Sequence, residues 1–191
     1  VSTMSFEGTK TKLLCPLDIL PYLKGHGIDI GCGPDPILPS VEKFDQEDGD
    51  ANSISSFIGK KYDFVFSSHS LEHMLDPRKT IKEWYSLVKP GGHLVILVPD
   101  EDLYEQGKFP SVFNPDHKFT FTISKSVSWS PRSINVLDLS SSLAGTLVSL
   151  KLHDIGYDRK LMKSNFGYFS LFLGRVAHKL AKIFPMLEAV C

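Results

Sequence analysis

The sequence predicts an α/β fold: a doubly wound, mostly parallel sheet with an antiparallel hairpin toward its C-terminal end. Strand-like and helix-like runs alternate through residue 100, which is typical of such sheets. Residues 93–98 (HLVILV) are apolar on both faces, as expected of a strand that helices cover on both sides. Residues 133–139 and 146–153 are two β-rich runs too close together for a parallel crossover, so we expect them to pair as the hairpin.

Three further strands are short apolar or alternating runs bounded by turn residues. We expect them at residues 26–31, 41–45 and 62–66. The first of them ends in glycines, which let the backbone turn sharply and approach a ligand closely. The carboxyl ends of parallel strands are where open α/β sheets bind their ligands.

Helices are expected before and between these strands. Residues 16–24 predict a short helix with Pro16 near its start. Ser53 can cap a brief helix that runs to Ile58. Asp76-Pro77 begins a third helix, whose apolar residues recur near the 3.6-residue period, and residues 90–92 (PGG) end it.

The composition favours a globular, cytoplasmic protein. Of its 191 residues 42% are hydrophobic, and 21 basic residues against 22 acidic ones leave no basic surplus for nucleic acid. The three cysteines form no CxxC pair, so we expect neither a disulfide framework nor a metal site. The same cysteine usage favours a reducing compartment. No secretory signal and no membrane-spanning run are expected either.

Acidic residues are concentrated just after the first predicted strand. Seven acids stand between Asp29 and Asp50, against the single base Lys43. Such a stretch disfavours phosphate and favours cations or hydroxyl-rich ligands, although a solvated loop would give the same pattern.

The strongest local signal is the glycine turn at residues 29–34 (DIGCGP). A dinucleotide site needs a third glycine and a helix whose N-terminus faces the pyrophosphate. Here Pro36 takes the place of that glycine, and Asp29 and Asp35 would repel a phosphate. A nicotinamide oxidoreductase is therefore disfavoured.

Four segments support a different ligand: Asp29-x-Gly31-x-Gly33; Asp45 with Gly49-Asp50-Ala51; residues 62–73 (YDFVFSSHSLEH); and residues 87–94 (LVKPGGHL). In this order and spacing they resemble the motifs of the class I S-adenosylmethionine-dependent methyltransferases. The resemblance covers about residues 26–100, and the expected hairpin extends it to about residue 154. It implies a Rossmann-like sheet of the seven-stranded type, S-adenosylmethionine as cofactor and methyl transfer as the reaction.

The resemblance also implies which residues hold the cofactor. Asp45 or Asp50 would accept hydrogen bonds from the ribose hydroxyls, and Asp48 is a third contender. The sulfonium of the cofactor is a cation, which suits acidic surroundings better than a phosphate does. The expected cofactor-binding residues are Asp29, Gly31, Cys32, Gly33, Asp45, Asp50, Ala51, Ser68 and His69.

Two histidines are the candidate catalytic bases. His69 follows the strand expected at residues 62–66, and the family resemblance implies that cofactor and acceptor meet there. In an alternative interpretation, His69 contributes only backbone atoms to the cofactor pocket. His117 lies in a loop, residues 114–119 (NPDHKF), that we expect over the pocket. The expected acceptor is a small molecule methylated on oxygen or nitrogen, with a sugar-containing or lipid-linked metabolite favoured.

Two departures from the family pattern support an alternative function. Asp35 stands where a third glycine is common, and Asp45 follows Gly31 by only 14 residues, which leaves little room for the first crossover helix. These features also fit a catalytically inactive, methyltransferase-like binding or scaffold subunit.

We expect two parts in the chain: a cofactor-binding domain over residues 1–160 and a C-terminal helical extension over residues 161–191. Within the extension, residues 166–187 show apolar residues at helical spacing and basic residues opposite them. Three interpretations remain open for this amphipathic helix. It packs on the sheet, forms a homodimer interface, or makes a peripheral membrane contact.

Overall fold

A computed structural model of the protein describes residues 16–123 and 125–154. The chain divides into two compact units, and the boundary falls between Val98 and Pro99. We call the described residues 16–98 the sheet unit and the described residues after Val98 the second unit. The helix expected at residues 166–187 lies outside the described residues, so the expected division at residue 160 stays a prediction.

The sheet unit is built on parallel strands in the order β2-β1-β3-β4. The mostly parallel α/β fold is thereby confirmed. The described sheet has four strands, whereas the family resemblance implies the seven-stranded type. The strands are β1 (Gly27–Ile30), β2 (Glu42–Phe44), β3 (Tyr62–Ser68) and β4 (Val88–Leu97).

Short helices connect the strands of the sheet unit. Before β1 lie α1 (Pro16–Ile19) and a 3₁₀ turn (Leu20–Tyr22), which confirm the first expected helix. Between β3 and β4 lie a 3₁₀ turn (Leu71–His73) and α2 (Pro77–Ser86). Helix α2 starts at Pro77, as the sequence predicts, and the side chain of Asp76 accepts hydrogen bonds from the backbone N–H groups of Arg78 and Lys79.

Two predicted helix ends are wrong. The helix between β2 and β3 is a 3₁₀ segment (Ala51–Ser56), and its cap is Asp50 rather than Ser53, because the Asp50 carboxylate accepts from the backbone N–H of Asn52. Helix α2 ends at Ser86 and not at residues 90–92, which instead lie within β4. Val88, expected on that helix, is therefore the first residue of the strand.

The core of the sheet unit lies on both faces of the strands. Phe64 and Phe66 of β3 pack in one cluster with residues of α1 and of the loop before β2. Trp84 of α2 is fully buried and donates its indole N–H to the carbonyl oxygen of Ala51 at 2.9 Å. Burial on both faces explains the nearly uninterrupted apolar character of β1 and β3.

The second unit contains a small parallel pair and not the predicted hairpin. β5 (Thr120–Thr122) pairs in parallel with β6 (Ser133–Asn135). The chain then enters α3 (Val136–Ser141), because the Asn135 side chain caps the backbone N–H groups of Leu137 and Asp138. Residues 146–153 form no strand. No helix among the described residues is long and apolar enough to cross a membrane.

Asp76, which caps α2, and Ser53, which was predicted to cap a helix and does not, give a contrast in stability. Asp76→Ala removes a side chain that accepts from Arg78 and Lys79 at 3.0 and 3.2 Å, so we expect a loss of about 0.5–2 kcal/mol. Ser53→Ala removes no cap, and we expect a change within about 0.5 kcal/mol. Urea unfolding measures both, and equal losses would contradict this assignment of the caps.

Candidate functional site

The glycine turn leaves the carboxyl end of β1 and is tied to the neighbouring strand. The backbone N–H of Gly31 donates to the carbonyl oxygen of Phe44, the last residue of β2, at 2.8 Å. Gly31 and Gly33 have φ angles of 75° and 56°, in the left-handed region that glycine adopts without strain. The turn therefore needs glycine at both positions for its backbone shape.

The two glycines differ in what surrounds them. A Cβ atom on Gly31 would lie 2.1 Å from the Ser70 hydroxyl oxygen, so this glycine allows close packing against the loop after β3. A Cβ atom on Gly33 would have no atom within 4 Å. The backbone is thus open at Gly33, as a turn that receives a ligand must be.

Asp45, the first residue after β2, reaches this open turn. Its Oδ2 accepts a hydrogen bond from the backbone N–H of Gly33 at 2.6 Å, and its Oδ1 accepts from that of Gln46 at 2.7 Å. An ionised carboxylate has about four lone-pair sites, so about two remain for hydroxyl donors. Asp45 is half-buried, which leaves those sites accessible beside the turn.

The other two acidic contenders are engaged in local turns. Asp48 accepts from the backbone N–H of Asp45 at 2.9 Å. Asp50 accepts from the backbone and the side chain of Asn52 at 2.9 and 2.8 Å. These hydrogen bonds hold the pKa of the Asp50 carboxyl below its usual range, and the one from the Asn52 side chain contributes most. Of the three, Asp45 is the one hydrogen-bonded to the glycine turn.

Asp29 and Cys32 are buried parts of the same turn. Asp29 is 2% exposed, and its carboxylate accepts from the backbone N–H of Ile37 at 2.7 Å, which fixes the loop that follows the glycines. The Cys32 thiol donates to the carbonyl oxygen of Gly33 at 3.3 Å. Burial, with a smaller contribution from the carboxylates of Asp29 and Asp45, raises the pKa of Cys32 to about 11. Cys32 is a neutral thiol at pH 7.

The chain leaving β3 lies beside the turn and holds the first candidate base. Ser68, the last residue of β3, is buried, and the Ser70 hydroxyl is 3.4 Å from the carbonyl oxygen of Ile30. His69 has a φ angle of 53°, a left-handed conformation that costs about 1–3 kcal/mol and is concentrated at functional sites. Its Nδ1 is 3.6 Å from a carboxylate oxygen of the fully buried Glu72.

His117, the second candidate base, lies in the second unit. Its side chain is 2% exposed, and its Nδ1 is 2.6 Å from Oε1 of Glu105. The Tyr104 ring lies against the imidazole, with 5.0 Å between ring centroids. The remaining predicted residues, from Asp29 to His69, are in the sheet unit.

Sequence reasoning missed three residues of these clusters: Ser70, Glu72 and Glu105. Glu72 stands inside the quoted motif at residues 62–73, so the motif itself contained its signal. Ser70 and Glu105 are identified only by the atoms they contact, because no sequence spacing predicts those pairs.

Comparison with known families agrees with this geometry. The family model described as a methyltransferase domain matches residues 14–135, well over half of the chain. The chain belongs to this family. It is a class I S-adenosylmethionine-dependent methyltransferase. A search of curated proteins finds no match.

The raised pKa of Cys32 predicts a slowly reacting thiol. In a Cys15→Ser, Cys191→Ser background, Cys32 is the one cysteine left in the sequence. Because its pKa rises from 9.0 to about 11, its thiolate fraction at pH 7 falls about a hundredfold. Because a thiolate of higher pKa is also more nucleophilic, we expect iodoacetamide to alkylate it at least about tenfold more slowly than N-acetylcysteine, with a rate that increases up to about pH 11. Alkylation is followed by mass spectrometry, and equal rates for Cys32 and N-acetylcysteine at pH 7 would contradict the raised pKa of Cys32.

Proposed function

We propose that this methyltransferase binds S-adenosylmethionine at the glycine turn and transfers its methyl group to an oxygen or nitrogen atom of a small molecule. The observation that supports the proposal most is the hydrogen bond from Gly33 to Asp45 beside the open face of Gly33. This hydrogen bond places a carboxylate that still has accepting lone pairs next to a backbone that a ligand can approach.

The residues of the turn fit the cofactor chemically. The ribose offers two hydroxyl donors, and Asp45 would accept them in charge-assisted hydrogen bonds. Gly49, Asp50 and Ala51 would lie on the adenine side, as the family resemblance implies. The buried and half-buried carboxylates of this region favour a cationic sulfonium over a phosphate.

The bound cofactor supplies an activated methyl group, so the protein has to position an acceptor and remove its proton. Holding the acceptor in line supplies up to about 7–11 kcal/mol of the acceleration. In such a transfer the acceptor atom would displace the sulfur at the methyl carbon, S-adenosylhomocysteine would be released, and the acceptor proton would pass to a base. His69 and His117 are the candidate bases, and such a base contributes about 10²–10⁴-fold.

The acceptor class remains the one that the sequence favours, a sugar-containing or lipid-linked metabolite. The homodimer and membrane contacts proposed for residues 166–187 concern residues outside the described part of the chain. Their tests are the oligomeric state and liposome sedimentation of the protein with and without those residues.

Calorimetry with S-adenosylhomocysteine tests the role of Asp45. We expect Asp45→Ala to weaken binding by about 1.5–3 kcal/mol, the range for hydrogen bonds to a charged group. Asp45→Asn keeps an acceptor for Gly33 but loses the charge, so its loss should be smaller. Glu47→Ala removes an exposed acid of the same stretch; it is the control and should bind as the wild type does. If Asp50→Ala produces the large loss instead, the ribose role belongs to Asp50.

A pair of glycine variants tests whether the open face of Gly33 receives the cofactor. Gly33→Ala places a methyl group there, and we expect it to reduce affinity for S-adenosylhomocysteine at least tenfold. Gly91→Ala is the matched control: Gly91 also has a positive φ, 78°, and open space, but it lies near the amino end of β4. Both variants carry the same backbone strain, about 1–2 kcal/mol. Equal affinities in the two variants would contradict the proposed site.

Gly31→Val is less informative for the site. A side chain on Gly31 collides with Ser70 before it reaches any ligand, so a loss of binding would report on packing.

Turnover distinguishes an enzyme from an inactive binding subunit. The protein is incubated with methyl-labelled S-adenosylmethionine and either a water-soluble metabolite extract or a lipid extract. We expect label to enter one of the two extracts and S-adenosylhomocysteine to form in equal amount. Binding of S-adenosylhomocysteine without transfer to either extract would contradict the proposal and support the scaffold alternative.

A further inference from the structure

Asn52 is hydrogen-bonded to two loops of the sheet unit. It stands in the 3₁₀ segment (Ala51–Ser56), directly after residues that the proposed function places on the adenine side of the cofactor. We call those residues, Gly49-Asp50-Ala51, the adenine-side turn. We call residues 69–75, which follow β3 and carry the candidate base His69, the exit loop. Both loops belong to the same compact unit.

The Asn52 amide uses its two ends for different partners. Its Nδ2 donates to Oδ1 of Asp50, in the adenine-side turn, at 2.8 Å. Its Oδ1 accepts from the backbone N–H of Leu75, in the exit loop, at 2.9 Å and from the Thr80 hydroxyl of α2 at 3.3 Å. A carboxylate can only accept and a backbone N–H can only donate, so these partners fix which end of the amide faces each loop.

The two partners together require an amide at this position. An aspartate would keep an acceptor for Leu75, but it would set its carboxylate against that of Asp50. An alanine would keep neither hydrogen bond. The bond from the Asn52 side chain is also the largest cause that holds the pKa of the Asp50 carboxyl below its usual range, so Asn52 binds the ionised form.

The 3₁₀ segment is attached to α2 without the help of Asn52. The fully buried Trp84 donates its indole N–H to the carbonyl oxygen of Ala51 at 2.9 Å. Glu83, on the same helix, accepts from the backbone N–H and the hydroxyl of Ser55. Attachment of the segment to the core is therefore shared among several side chains. What distinguishes Asn52 from Trp84 and Glu83 is its contact with the exit loop.

The end of the exit loop is not fixed by side-chain burial at Leu75. The Leu75 side chain is 69% exposed. Just before it, the backbone N–H of Met74 closes a local turn on the carbonyl oxygen of Leu71 at 3.2 Å. The hydrogen bond to Asn52 is thus what attaches the Leu75 backbone to the 3₁₀ segment.

We propose that Asn52 is a positioning residue that links the adenine-side turn to the exit loop, so that a cofactor bound at the turn holds the loop with His69 in place. The inference rests on the proposed function, which places the nucleoside at this turn. Contacts with the nucleoside restrict Asp50, and the Asn52 amide passes this restriction to the Leu75 backbone. Because coupling between two sites is reciprocal, a loop held in place favours cofactor binding by the same factor.

Amide hydrogen exchange measured by NMR, with and without S-adenosylhomocysteine, tests this link. Met74 is the reporter, because its backbone N–H bonds to Leu71 and not to Asn52. We expect the ligand to slow Met74 exchange at least about fivefold in the wild type, the lower end of typical coupling between sites. Glu83→Ala is the matched control: it cuts another tie between the 3₁₀ segment and α2 and should show the same slowing.

Asn52→Ala removes the link altogether. In this variant the ligand should change Met74 exchange less than about twofold, because the turn and the loop are no longer coupled. Affinity for S-adenosylhomocysteine, measured by calorimetry, should fall about threefold to tenfold, the effect of one hydrogen bond.

Asn52→Asp separates coupling from simple anchoring of the loop. It keeps an acceptor for the Leu75 N–H and the Thr80 hydroxyl but loses the donor to Asp50. Leu75 exchange without ligand should therefore stay within about threefold of the wild type, whereas the ligand should no longer slow Met74. A residue that only anchored the loop would leave the ligand effect intact. This variant also decides the question if Asn52→Ala proves unfolded in urea titration.

Two outcomes would overturn the inference. One is a ligand-dependent slowing of Met74 that persists in Asn52→Ala or Asn52→Asp, and the other is a wild type that binds the ligand without any slowing. If the wild type does not bind S-adenosylhomocysteine, the proposed function fails, and the ligand-free proteins decide the link. Asp50→Ala should then speed Met74 exchange at least about threefold relative to Glu83→Ala, and equal rates in these two variants would refute it.

Discussion

The hydrogen bond between the Gly33 backbone and the Asp45 carboxylate joins two features that are 12 residues apart in the chain. One is a glycine turn at the end of β1, and the other is the acidic residue at the end of β2. Parallel pairing of β1 with β2 brings those ends to the same edge of the sheet. The second link, from Gly31 to Phe44, keeps the turn at that edge. The proposed cofactor site rests on these two bonds and on the absence of side chains at the glycines.

Three of the surrounding acids make structural hydrogen bonds that the charge pattern alone does not reveal. Asp29 fixes the loop after the turn, Asp48 caps the turn at Asp45, and Asp50 begins the next helical segment. The acidic stretch therefore serves two purposes, since it shapes the loops and leaves Asp45 with accepting capacity beside an open backbone. In the second unit, the Glu101 carboxylate accepts hydrogen bonds from several donors, whereas the Glu105 carboxylate contacts a histidine.

The sheet could be predicted because its signals are local. Buried parallel strands are apolar runs, and Asp76-Pro77 is a recognisable helix start, so β1 to β3 and the start of α2 were expected near where they lie. The prediction of a C-terminal hairpin was wrong because the apolar residues within 133–139 were interpreted as a strand, whereas the side chain of Asn135 caps a helix that starts there. The glycine turn and its acidic neighbours were found from sequence. The pairs Gly31–Ser70 and Glu105–His117 were not, because they are contacts between distant positions and no local period encodes them.

The account depends on where the nucleoside of the cofactor binds, and a crystal structure of the protein soaked with S-adenosylhomocysteine measures this most directly. We predict that both ribose hydroxyls lie within hydrogen-bond distance of the Asp45 carboxylate, with the ligand over the open face of Gly33. Ligand density at another place on the protein, or a ribose held by Asp50 with Asp45 turned away, would contradict it.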